Sequence, residues 1–298
     1  MANIPNLFII GAPKSGTTAL ANNLAQHPDV FISQQKEPRF FDAHTFYDYE
    51  DDYPIKDIKD YLSLFYSSKS KYNLDASVFN MYSKESIANI LSLSPEAKFI
   101  LLLREPVSAS LSMHKQRLSY SDIKMREISD DFMECWNKLE DRKSGKGYPK
   151  GCRNKFLFRY DLLYSYELYI PYILEFIKEE NLFIGFYDDY LNESSVFYEK
   201  LFCFLDINKI GIDNKKLNES KIIKKSKLLS YIDFLAKKSF LLREKIGMTG
   251  GKLSSLKKNI INLYKDNNFP KQKANEEVHE FFRKTNEYIM KLRENNHD

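Results

Sequence analysis

The chain has 298 residues, with 45 Lys+Arg against 41 Asp+Glu and a formal charge of +4. Ten Gly and ten Pro beside 43% hydrophobic residues exclude a collagenous, disordered or turn-rich all-β chain and leave room for one sizeable core. The longest apolar runs, Leu7–Ile10 and Phe99–Leu103, have strand length, far short of the ~20 residues of a membrane helix.

In chain order, MANIPNLFII lacks the basic region and small-residue cleavage site of a secretory leader, so a cytoplasmic protein is expected. Asn6–Ile10 reads as a strand, Thr17–Gln26 as a helix, and Val30–Ile32 as a short strand. Asp57–Phe65 has apolar residues at helical spacing; Asn73–Ala76 is a strand candidate and Ser83–Leu93 a helix. Lys98–Leu103 is a continuous β-type run, followed by a helix reaching about Leu118. Leu157–Lys178 reads as one long aromatic-rich helix, Leu182–Tyr187 as a buried strand and Ser194–Leu205 as a helix. A final amphipathic helix is expected over Ala274–Leu292, with Val278, Phe281, Phe282, Tyr288 and Ile289 on one side. Strands separated by helices predict an α/β fold, a P-loop-like three-layer α/β/α arrangement around a central parallel sheet, with a helical C-terminal part. No repeat or linker divides the chain, so residues 1–298 are expected to form one domain.

Charge is unevenly spread. Residues 1–208 hold 24 basic and 30 acidic side chains, a balance of −6, and the remainder carries +10. A basic C-terminal third suits an anionic ligand, and the lysine-rich stretch 206–272 is expected to cover the ligand sites. Cys135, Cys152 and Cys203 are odd in number and widely spaced, as reduced thiols are. The 42 tyrosines and phenylalanines sit mostly at helical spacing, which argues for core packing and against nucleic-acid binding.

The sharpest local pattern is Phe8-Ile9-Ile10-Gly11-Ala12-Pro13-Lys14-Ser15-Gly16-Thr17-Thr18. A strand empties into a glycine-bracketed loop and a helix begins at once, a geometry that turns backbone N–H groups toward an anion. Lys14 adds a charge, and Ser15, Thr17 and Thr18 add hydroxyls. Lys14 precedes Gly16, whereas a Walker A lysine follows the last glycine. No metal-binding aspartate follows Leu101–Leu103; Arg104 does, so no metal is expected. Arg104 stands where open α/β sheets bind ligands, and Ser112 lies about two turns into the next helix. A guanidinium fork with a hydroxyl suits a phosphate monoester. Two anion sites on neighbouring strand ends fit a nucleoside with phosphates at both ends better than ATP.

Gly11–Thr18 and Arg104–Ser112 resemble the two signature segments of the sulfotransferase family, and Lys36-Glu37-Pro38-Arg39-Phe40-Phe41-Asp42 resembles an element of its heparan sulfate branch. The resemblance implies a donor, 3′-phosphoadenosine 5′-phosphosulfate (PAPS), with PAP as product. It assigns the 5′-phosphosulfate to Lys14, Ser15, Gly16, Thr17 and Thr18, and the 3′-phosphate to Arg104 and Ser112. It makes Glu37 the general base and Lys14 the cation at the departing oxygen. Arg39 stands where some members carry histidine, so it is expected to bind an acceptor or orient Glu37. His44 and His114 are weaker acceptor-side candidates, while His27 suits packing or capping. Ala76 and Ala109 replace basic residues found in some members, and Lys252 is a weak candidate for closing over the 3′-phosphate. The expected acceptor is a carbohydrate or small molecule carrying a hydroxyl or amine. The alternatives are a P-loop nucleotide kinase or NTPase, and a non-catalytic PAP-binding protein.

Overall fold

The computed structural model describes residues 3–33, 35–48, 53–213, 222–223, 265–266 and 272–295. Lys252 and most of the lysine-rich stretch lie outside them. The chain divides into two compact units, one of residues 1–110, 161–217 and 276–298, the other of residues 111–160 and 218–275.

The first unit holds a parallel five-stranded sheet in the order β2-β3-β1-β4-β5. Its strands are β1 (Leu7–Gly11), β2 (Val30–Ile32), β3 (Tyr72–Asp75), β4 (Lys98–Leu103) and β5 (Leu182–Phe186). All of β1 and β3, and Phe99–Leu103 of β4, are buried. Successive strand residues face opposite ways, so the sheet is covered on both faces, as the unbroken apolar runs predict. The β1–β4 register slips between Ile9 and Gly11, at the point where β1 opens into its loop. Helix α1 (Thr17–Leu24) then packs on β1 and β2.

Helices α2 (Ala43–Phe46), α3 (Ile58–Ser63) and α4 (Lys84–Leu93) follow. Asp57 caps α3 through the Lys59 amide at 2.7 Å, and Ser83 caps α4 through the Ser86 amide at 3.1 Å. Helix α5 (Pro106–Leu118) starts on a proline at its first position, and the boundary between the units falls within it, after Ser110.

The second unit contributes α6 (Phe132–Trp136) and α7 (Leu139–Lys143). Its core is charged. Fully buried Arg142 donates to Glu127 at 2.7 Å and to the Phe158 carbonyl at 2.7 Å, and the Tyr160 hydroxyl donates to Glu127 at 3.0 Å. Each buried polar atom in this trio has a partner, which is what makes its burial tolerable.

The expected long helix over 157–178 is broken into α8 (Tyr160–Leu163), a 3₁₀ turn at Tyr166–Leu168 and α9 (Ile170–Phe176). Pro171 lacks an N–H and sits in the first turn of α9, so it starts a helix and cannot continue one. Strand β5 ends at Phe186, and Tyr187 opens α10 (Tyr187–Asn192); α11 (Ser194–Leu205) matches expectation. The C-terminal helix is two, α12 (Glu276–Phe281) and α13 (Arg283–Asn295). Val278, Phe282 and Thr285 are buried, while Phe281, the last residue of α12, is exposed. His27 is buried, accepting from the Asp29 amide at 3.0 Å and donating to the Asn208 carbonyl at 2.8 Å, a packing role. Among the described residues no helix is long and apolar enough to cross a membrane.

Candidate active site

The loop after β1 is built on two left-handed residues. Lys14 has φ 69° and Gly16 has φ 85°, on either side of Ser15. Alternating hands curl main-chain N–H groups into a concave anion nest, which the N-terminus of α1 continues. At Gly16 a side chain is excluded twice, by the positive φ and by the Tyr187 ring, 3.0 Å from where a Cβ would stand. Ser15 is fully buried. The Tyr166 hydroxyl lies beside Ser15 and the Arg104 main chain, and burial pushes its pKa up, so it stays protonated and able to donate.

Arg104 leaves the end of β4 half-buried and donates to the Lys14 carbonyl at 3.0 Å. Its guanidinium rests on the Tyr187 ring at 4.3 Å. Glu105 caps α5, accepting from the Val107 amide at 2.9 Å and the Ser108 amide at 2.6 Å. Two strand ends are thereby tied together at the sheet edge where open α/β folds place ligands. Ser112 is half-buried on α5, in the second unit's part of that helix.

Glu37 lies in the segment after β2. Lys36 donates to Glu37 Oε1 at 2.7 Å and to Thr18 Oγ1 at 2.7 Å, and Arg39 donates to Glu37 Oε2. Burial alone would raise the Glu37 pKa, but Arg39 and Lys36 outweigh it and hold the carboxyl below its ordinary value. Arg39 is itself pinned. Its φ is 56°, its amide donates to Ser77 Oγ at 3.0 Å, and its guanidinium reaches Asp42 at 3.5 Å while lying 3.6 Å from the Phe46 ring centroid and 4.7 Å from that of Phe79. Fully buried Asp42 accepts from the Phe79 amide at 3.2 Å. Burial raises its pKa to about 7, helped by Asp75 and Glu37 and opposed by Arg39. Asp75, at the end of β3, is held by the Tyr61 hydroxyl at 2.7 Å and the Ser77 amide at 2.8 Å.

The structure thus brings Lys14, Ser15, Gly16, Thr17 and Arg104 into one cradle, with Thr18, Lys36, Glu37 and Arg39 in a chain of contacts beside it. His44 is apart from that chain; it is partly exposed and bonded to Ser83 Oγ at 2.8 Å. His114 is fully buried in the second unit, donating to the Ser129 carbonyl at 3.2 Å with its ring against Phe132. Burial lowers its pKa. The sequence reading missed Tyr166 and Tyr187. Tyr187 stands directly after β5, whose last two residues are buried, where such a residue faces the ligand edge; Tyr166 was hidden inside the supposed long helix.

The sulfotransferase domain family matches residues 5–291. The chain is 32% identical over 111 residues to the membrane-associated sulfotransferase kil1 of Dictyostelium discoideum, covering 37% of this chain and 22% of that protein. It is also 32% identical over 117 residues to the heparan sulfate glucosamine 3-O-sulfotransferase 3B1 of Mus musculus, covering 39% and 27%. The aligned stretch spans about a quarter of these curated relatives' lengths. The crystal structure of a sulfotransferase from Alicyclobacillus acidocaldarius superposes with a TM-score of 0.60 at 24% identity, over 84% of this chain and 98% of that one, and shares the fold. The chain belongs to the sulfotransferase family.

Proposed function

We propose that the enzyme moves the sulfuryl group of PAPS to a hydroxyl or amine of a carbohydrate or small-molecule acceptor. The observation that carries this reading is the cradle at the β1–α1 turn, where left-handed Lys14 and Gly16 flank the buried Ser15 and Arg104 joins from the next strand. A phosphate seated there would accept from the main-chain N–H groups of the loop and from the Ser15 hydroxyl. Lys14, Ser15, Gly16, Thr17 and Thr18 hold the 5′-phosphosulfate; Arg104 and Ser112 take the 3′-phosphate. Because the family match runs through both units, we read them as parts of one sulfotransferase domain.

Sulfuryl transfer, like phosphoryl transfer, is expected to be loose and in line, so positioning and charge placement dominate. Glu37 takes the acceptor's proton as the new bond to sulfur forms. Lys14 and the N-terminus of α1 meet the charge that appears on the departing phosphate oxygen. A carboxylate held below its ordinary pKa is a weak base, but it is fully ionised at neutral pH, which a loose transition state tolerates. Arg39, buried and pinned on Asp42, orients Glu37; its enclosure argues against acceptor binding. The burial of His114 likewise supports packing over acceptor contact, and partly exposed His44 is left as an acceptor-side residue.

Radiolabelled PAPS offered with a panel of sugars, phenols, amines and alcohols tests the reading. Label should move to at least one acceptor, with chelator present, and Glu37→Gln should abolish the transfer. Transfer to none, with unaltered PAP binding in Glu37→Gln, would favour a non-catalytic PAP-binding protein.

A further inference from the structure

Two cations share Glu37, and they differ in freedom. The Arg39 side chain is 10% exposed and stacked on two aromatic rings. That of Lys36 is 28% exposed, and its ammonium already spans two elements, touching Thr18 Oγ1 in the first turn of α1 and Glu37 Oε1. Lysine is a compact charge on a flexible stem, able to change partners without moving its backbone, whereas a stacked guanidinium cannot.

Resting on the donor reading above, the charge balance of the reaction gives that bridge a purpose. The acceptor's proton passes to Glu37, the acceptor's bond to sulfur forms, and the bond from sulfur to the bridging phosphate oxygen breaks, its electron pair staying on that oxygen. One negative charge leaves Glu37 and one appears on the phosphate in the β1–α1 cradle. We propose that Lys36 is a second catalytic cation, which serves Glu37 before transfer and swings to the donor's phosphosulfate, past Thr18, as that charge moves. It would keep the reacting centre neutralised from both ends, with Lys14 fixed at the departing side only.

The test uses Lys36→Gln and Lys36→Arg in the full-length chain, with two readouts. Titration calorimetry with PAP reports the ground state; conversion of PAPS to PAP, with water as acceptor, reports the rate across pH. Lys36→Gln should weaken PAP binding about 3- to 10-fold and slow conversion about 10- to 100-fold. The acid limb of its rate profile should move to higher pH, because Glu37 keeps Arg39 but loses one of its two lowering cations, with the Asp42 and Asp75 carboxyls still facing it. Lys36→Arg should recover most of the PAP affinity. Wild-type PAP affinity in Lys36→Gln overturns the proposal even if the acid limb shifts, since Lys36 would then serve Glu37 alone. If the wild-type protein binds no PAP, the donor reading falls and this inference with it.

Discussion

The guanidinium of Arg104 donates to the main-chain carbonyl of Lys14 across 3.0 Å, so the ends of β4 and β1 are fastened to each other at the mouth of the sheet. The backbone of Lys14 is thereby held, and Arg104 is braced by Tyr187 on the other side. The consequences of that joint are separable by mutation.

Replacing Lys14 by Ala removes the charge that meets the departing oxygen. Transfer should slow about 100- to 1000-fold, with a smaller loss of PAP affinity. Arg104→Ala should show the reverse emphasis, with PAP affinity falling about 10- to 100-fold as a charged phosphate contact and the brace on the loop are lost. Calorimetry beside PAPS turnover separates the two.

Gly16→Ala places a methyl group 3.0 Å from the Tyr187 ring and forces a left-handed alanine. Stability should drop by about 1–2 kcal/mol, and the loop should lose its PAP affinity. Thermal unfolding followed by circular dichroism checks the first effect and calorimetry the second.

Glu37→Gln keeps the size and one acceptor oxygen but removes the charge and the base. PAP binding should persist, while transfer falls about 100- to 10,000-fold. Loss of PAP binding in this variant would instead mark Glu37 as part of the donor cradle.

Asp42 gives a pH prediction. Its carboxyl has an ordinary value of 3.8 and is pushed up to about 7 in the fold. Between those values the unfolded chain has lost the proton that the folded chain keeps, so this residue makes stability fall as pH rises from about 4 to 7. Asp42→Asn should remove that share of the slope, seen as a flatter dependence of the denaturation midpoint on pH. The lowered pKa of Glu37 acts oppositely, adding stability above its ordinary value that is lost as pH falls through the folded one.

Much of this was legible in the chain because it is local. Leu7–Gly11 and Lys98–Leu103 announce buried parallel strands by their unbroken apolar runs, and Lys14, Ser15 and Arg104 follow those strands directly. What was not legible depends on contacts distant in sequence. Arg39 reads as an acceptor contact or a residue that orients Glu37, a choice that rests on Phe46, Phe79 and Asp42 closing around it, and Tyr166 reads as a helix position until its turn brings it to Ser15. The long-helix error over 157–178 had a visible correction in Pro171, outweighed by an aromatic stripe whose spacing continues through the break.

The most direct test of the donor site is calorimetric titration of the wild-type protein with PAP and, separately, with magnesium and ATP. Saturable PAP binding near one equivalent, weakened by Arg104→Ala and far tighter than any ATP binding, is the expected result. Tight magnesium–ATP binding with no PAP binding would contradict the account.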